Sequence, residues 1–257
     1  MKNLLSCISL FLILTLTSCE KVDDDTKKDC TSDCTSLKGK FITLNGAPIS
    51  NIKVSLNYSI SGGELGGGYT RKIVSTQSDE NGNFNQNFYI KDNELGNSAP
   101  GSFEIIIDDS KIDANKYIRL NDVFGTSITF HDLNIYSITK RDTIIEKNFY
   151  IPKKAYIKIH LNNFIPQLKG DHFEVQTFYP FGEKRGNNTF LDSEYSTGFS
   201  GTENWVPKDL NTIFNVFVAE GEKNIIRIIK IKNGINLSQD YELTIPPNNS
   251  IELTYNF

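Results

Sequence analysis

KGKFITLNGAPISNIKVSLNY, residues Lys38 to Tyr58, sets two short β-rich runs on either side of a turn. Gly46 supplies backbone freedom for that turn, and Pro48 fixes the chain as it leaves. The same grammar recurs along the chain. YTRKIVSTQ, NFNQNFYI, SFEIIID, KYIRL, TSITFHDLNIYSI and TIIEKNFYI follow in the first half, bounded by Gly, Asn, Asp and Pro. The second half restarts after Pro152 with KAYIKIHL, HFEVQTFYPF, NTIFNVFVAEG, NIIRIIKIKNG, DYELTIPP and SIELTYNF. Nowhere past residue 18 does a 3.6-residue apolar repeat persist, so the pattern is that of sandwiches. The expectation is an all-β protein of two tandem immunoglobulin- or transthyretin-like β-sandwiches, residues 35–152 and 153–257. Ile251, Leu253, Tyr255 and Phe257 alternate with polar residues, which predicts a half-buried last strand.

The first module carries a resemblance. Gly46, Pro48, Val54, Asp79, Gly82 and Phe84, with Ser78 in a threonine position, resemble the strand, Gly-x-Pro, strand, Thr-Asp-x-x-Gly-x-Phe pattern of the carboxypeptidase-regulatory-like, transthyretin-like domain. Gly82 and Asp79 then belong to a turn, and Phe84 to a core. These are folding residues, and the resemblance implies an accessory or adhesive element. It departs from that family in the loop SGGELGGGY.

The first eighteen residues read as a secretory signal. Lys2 precedes an apolar core from Leu4 to Leu16, too short to cross a bilayer as a helix of roughly 20 residues. Leu16-Thr17-Ser18-Cys19 resembles the lipobox of bacterial lipoproteins. That resemblance implies lipidation of Cys19, cleavage before it, and a membrane anchor made of several acyl chains. Glu20 after the cysteine implies sorting to the outer membrane, at the cell surface or facing the periplasm. Residues 19–34 are acidic, without hydrophobic periodicity, and are expected to form a disordered tether.

Composition bounds the function. The chain has 257 residues and a formal charge of −4; removing residues 1–18 takes away Lys2 and no acid, leaving −5. No basic footprint for nucleic acid exists. Of the four cysteines, Cys7 leaves with the signal and Cys19 takes lipid, so Cys30 and Cys34 are candidates for a local disulfide in an oxidising compartment. Two thiolates without neighbouring ligands make no zinc set, and neither a metal nor any other cofactor is expected.

Sites for catalysis are scarce. GGELGGGY lacks the Lys-Ser/Thr of a phosphate loop, and SDENGNF has Phe84 where a calcium loop needs glycine. His131-Asp132 has no serine motif beside it. His160 would lie opposite Glu174 if their strands formed a hairpin, and a solvated cross-strand pair is then the expected outcome. No enzyme is expected. Trp205 and Tyr179, the latter in FYPFG, are candidates for a sugar platform, against the commoner outcome of buried sandwich aromatics. Asp142-Thr143-Ile144 matches the short O-glycosylation sequence of some exported bacterial proteins, but three residues are a weak match and a strand start suffices to explain them. The expected role is an outer-membrane or surface lipoprotein that binds a protein or glycan partner without catalysis, with sheet edges open to strand addition. The alternative is a glycan-binding accessory lipoprotein working with an outer-membrane nutrient transporter.

Overall fold

The computed structural model describes residues 21–62, 67–119, 122, 133–135, 138–184, 191, 193–195 and 210–257. Among them the elements bounded at both ends are strands and a 3-10 turn at Asp92–Glu94. No helix of the described residues is long and apolar enough to cross a membrane.

The first half stacks two sheets. β1 (Lys21–Asp24), β2 (Thr35–Ile42), β3 (Lys53–Ile60), β4 (Tyr69–Gln77), β5 (Asn83–Phe88), β6 (Ser102–Asp108), β7 (Leu133–Ile135) and β8 (Ile144–Tyr150) follow in sequence. One sheet runs β1-β4-β3-β6-β7. In the other, β2 lies between β5 and β8, parallel to β8 and antiparallel to β5. Strand periodicity explains the layering, since Val54, Leu56 and Tyr58 point inward while Lys53, Ser55 and Asn57 point out. Leu37, Phe41, Phe84, Phe103, Ile105 and Phe149 meet them from the other strands. Each such side chain contributes about 1.5–3 kcal/mol on burial.

The turn expected at SDENGNF is present. The Asp79 carboxylate accepts from the backbone N–H groups of Asn81 and Asn83 at 2.9 and 2.8 Å. Gly82 has φ +73°, and a Cβ there would stand 2.5 Å from the Phe41 carbonyl oxygen. Only glycine fits. Phe84 starts β5 with its ring 5.4 Å from that of Phe41.

Two expectations fail in this half. The described residues of KYIRL, 116–119, form no strand; Tyr117 makes an isolated bridge to Lys153. The segment expected to be disordered is docked: β1 pairs in parallel with β4, Lys21 opposite Tyr69 through Asp24 opposite Lys72. Its acids, read as solvating charge, have partners. Tyr69 donates its hydroxyl to Asp23 at 2.9 Å, and the Arg71 Nη1 reaches Asp25 at 3.2 Å. Arg71, 2% exposed, also donates through Nε to buried Glu94 at 2.7 Å and forms an ion pair with it through Nη2. A buried guanidinium needs this countercharge, and the acidic segment supplies part of it.

The second half is smaller. β9 (Lys154–Asn162), β10 (His172–Phe178), β11 (Gly182–Glu183), β12 (Thr212–Ala219), β13 (Asn224–Lys232), β14 (Ile235–Leu243) and β15 (Ser250–Asn256) complete the chain. β12-β9-β15 forms one three-stranded sheet and β10-β13-β14 the other. Ile157, Ile159, Leu161, Phe173, Val175, Val216 and Ile226 fill the space between. β15 alternates as expected, and Phe257 closes the end against Phe164 at 4.7 Å.

The division at Pro152 does not confine the packing. β11 leaves the second half to pair with β8, extending the first module's second sheet to β11-β8-β2-β5. Tyr179, Phe181 and Ala219 join the first core, with the Phe181 ring edge-on to Phe149 at 5.8 Å.

Candidate functional site

The residues singled out from sequence scatter across the molecule. Leu16, Thr17, Ser18, Cys19, His131, Asp132 and Trp205 lie outside the described residues. Cys30 and Cys34 are joined by a disulfide, with Cα atoms 5.8 Å apart. Tyr179 must be corrected as a sugar-platform candidate. It is 0% exposed and packs 5.9 Å from the Phe217 ring, so neither ring face is open to a ligand. FYPF is a strand exit plunging into the first core, not a loop tip.

The His160–Glu174 hairpin does not form either. β9 pairs with β12 and β15, which sets His160 opposite Ile213 and Thr254; Glu174 lies in the other sheet opposite Ile229. The segment between β9 and β10 crosses the sandwich instead of folding back. His160 has its Nε2 3.1 Å from Glu252, which Lys158 also reaches at 3.0 Å. That lysine first, and the histidine after it, hold the Glu252 carboxyl below its usual range. Glu174 takes His172 at 3.6 Å and a hydrogen bond from Gln176. The first is a solvated polar pair on a sheet face, whereas Glu174 is buried, with its charge met by His172 and Gln176. In Asp142-Thr143-Ile144 the threonine hydroxyl donates to the Lys140 carbonyl at 3.0 Å, turning the chain into β8.

Among the described residues, one polar concavity lies on the outer face of the first sheet. A groove of about 380 Å³ is lined by Asp24 of β1, Lys53, Ser55 and Asn57 of β3, Lys72 of β4 and Asp108 of β6. The register produces it: Lys53 stands opposite Asp108, and Asn57 opposite Lys72 beside a bulge after Leu56. Thr26 donates its hydroxyl and backbone N–H to Asp24 at 2.6 and 3.1 Å, and these bonds hold the carboxyl low. Asp108 is lowered likewise, first by the Ser110 side chain. Two ionised carboxylates and two ammonium groups therefore face one trough at neutral pH. Such a set offers charge and hydrogen bonds, and neither acid is poised to give up a proton.

One carboxyl behaves differently. Burial raises Glu222, against the hydrogen bond from the Tyr150 hydroxyl, which lowers it. It sits in the turn between β12 and β13, where the Asn224 amide donates to the carbonyls of Ala219 at 3.0 Å and Glu222 at 2.8 Å. Among the described residues no group of three His, Cys, Asp or Glu could hold a metal ion. The groove was missed from sequence because its members are ordinary strand residues, brought together only by the pairing of β1, β3, β4 and β6.

No family model matches the sequence, and no curated protein matches it. Among solved structures, the TIE protein of Bacillus anthracis aligns at 11% identity and a TM-score of 0.29, over 87% of this chain and 34% of that one. A streptococcal ancillary pilin aligns at 11% identity and 0.29, over 89% and 63%. The minor pilin GBS52 of Streptococcus agalactiae aligns at 9% and 0.31, over 86% and 94%. The chain thus spans less than two thirds of the first two. At these scores no role passes from them, and the sandwich architecture rests on the sheets themselves.

Proposed function

We propose that the protein is a lipid-anchored, non-catalytic recognition module of a bacterial outer membrane, displayed at the cell surface. The observation that carries this reading is the step Leu16-Thr17-Ser18-Cys19, where an apolar run meets charge at a cysteine. The likeness of Gly46, Pro48, Asp79, Gly82 and Phe84 to a transthyretin-like domain supports an accessory role, because all five serve folding. The groove lined by Asp24, Lys53, Lys72 and Asp108 is the face this reading gives to the partner, a polar ligand met through charge and hydrogen bonds.

β1 refines the anchor. It begins at Lys21, two residues after Cys19, a span of at most about 7 Å. A lipid on Cys19 would then hold the edge formed by β1 and β4 against the bilayer, with no stalk between.

The test is cleavage by added protease on intact and lysed cells, alongside incorporation of labelled palmitate, for the native chain and Cys19→Ala. Label and intact-cell cleavage that both require Cys19 support the reading. Unlabelled, soluble protein from both chains overturns it, and protection until lysis moves the partner to the periplasm.

A further inference from the structure

β14 is an edge without the usual protection. It runs nine residues, INLSQDYEL, with β13 on one side and no described strand on the other. Edge strands are ordinarily shortened, bulged, or carry Pro or Lys; β14 has none of these, and its register with β13 is unbroken. Its two acids are already matched from β13 and the turn before it. Arg227 grips Asp240 at 2.8 Å through Nε and again through Nη2, and Lys223 reaches Glu242 at 3.0 Å. On the face of Gln239 the apolar residues stand in water, Ile235 at 63%, Leu237 at 60% and Tyr241 at 38% exposed.

The order of residues along β14 says what this edge fits. Antiparallel to itself about Gln239, Ile235 meets Leu243 and Leu237 meets Tyr241, apolar against apolar. Asn236 meets Glu242 and Ser238 meets Asp240, so no like charges face each other. The backbone agrees. Asn233 and Gly234, both at positive φ, make the two-residue hairpin turn, whose i to i+3 bond makes Lys232 and Ile235 a hydrogen-bonded pair. Asn236, Ser238, Asp240 and Glu242 then turn their backbone groups outward. Centring on Gln239 pairs these four with one another and keeps all nine residues in register. Centring on Asp240 would set two aspartates face to face, and centring on Ser238 loses two residues at the end.

We infer that β14 docks on β14 of a second copy of this chain, antiparallel about Gln239, to give a two-fold dimer with a continuous six-stranded sheet β10-β13-β14-β14-β13-β10. Such an interface is isologous and closes on itself. It stands apart from the anchor, since neither Cys19 nor the groove takes part.

The experiment is sedimentation equilibrium of the full chain in detergent, with Asn236→Glu and Asn236→Lys. Asn236 is exposed, and the register puts it opposite Glu242 of the second copy, twice per dimer. Asn236→Glu should raise the dimer dissociation constant roughly ten-fold and Asn236→Lys lower it by a comparable factor, from the usual size of cross-strand charge pairs. Gln239→Cys, on the two-fold axis, should cross-link under mild oxidation, whereas Glu80→Cys in the first module should not. A monomer at all concentrations overturns the inference. So does a dimer indifferent to both charges at position 236, or one that never cross-links at 239, since each means another surface or register.

Discussion

The two halves of the chain solve the same packing problem to different degrees. The first sandwich has nine strands in two sheets once β11 is counted, a buried Arg71–Glu94–Asp25 cluster, and core side chains borrowed from beyond residue 178. The second has three strands over three, and β14 projects past the core with every residue but Leu243 exposed. The contrast teaches that a period-2 pattern does not by itself mean burial. Ile235, Leu237 and Tyr241, with Gln239 among them, share one face of β14 as Val54, Leu56 and Tyr58 share one face of β3, yet only the latter are buried.

Cutting the chain after Pro152 should break the comparison most. It removes β11, Tyr179, Phe181 and Ala219 from the first core, and the remainder should lose its near-ultraviolet aromatic circular dichroism at 25 °C. A cooperative, native-like melt of that fragment would show the halves to be independent.

Arg71→Met comes next. It leaves Glu94 buried without its cation and should cost about 3–5 kcal/mol in urea unfolding of the intact chain. Arg71→Met with Glu94→Leu should recover part of that loss, because the orphaned charge goes too.

Acid should separate the halves more gently. Hydrogen bonds and nearby cations hold Asp24, Asp25 and Asp108 below the ordinary carboxylate range, Asp25 chiefly through Lys28. A lowered folded pKa gives stability that is complete above the unfolded value and is lost as pH falls through the folded one. Below about pH 4 the first module's melting temperature should therefore drop, and amide exchange should report β1 opening first. Glu222 has the opposite sign. Its raised pKa costs stability as pH rises past the ordinary glutamate value, so Glu222→Gln should melt higher than the native chain at pH 7.

The smallest effect sharpens the contrast at single positions. Leu56→Ala should cost about 2–5 kcal/mol, while Leu237→Ala should stay within about 0.5 kcal/mol when measured on the dilute monomer. A loss at Leu237 near that of Leu56 would mean that β14 is covered.

The turn chemistry at Gly82, the buried ring of Phe84 and the final strand were legible because each depends on nearby residues. KYIRL misled, since a β-rich composition cannot say whether a neighbouring strand has a free edge to offer. INLSQ went unread as strand because Gln239 breaks the apolar alternation. The docked acidic segment was hidden for a different reason: its stabilising partner, Arg71, sits forty-six residues from Asp25. The polar groove was illegible in the same way, being a product of register across four strands. Tyr179 shows the limit of reading aromatics near Pro and Gly as exposed, because a strand exit can enter a core as readily as solvent.

The borrowing of Tyr179, Phe181 and β11 by the first sandwich also sets an order of events. A chain emerging from its N-terminus, at a ribosome or through an export channel, has made all of β1 to β8 before the residues that complete their core appear. β2 must in any case wait for β8, since Ser36 pairs with Ile144. Contacts this far apart in sequence make for slow folding. The first 150 residues should thus stay open and threadable until about thirty more have followed, and the native state should lock only when the second half arrives.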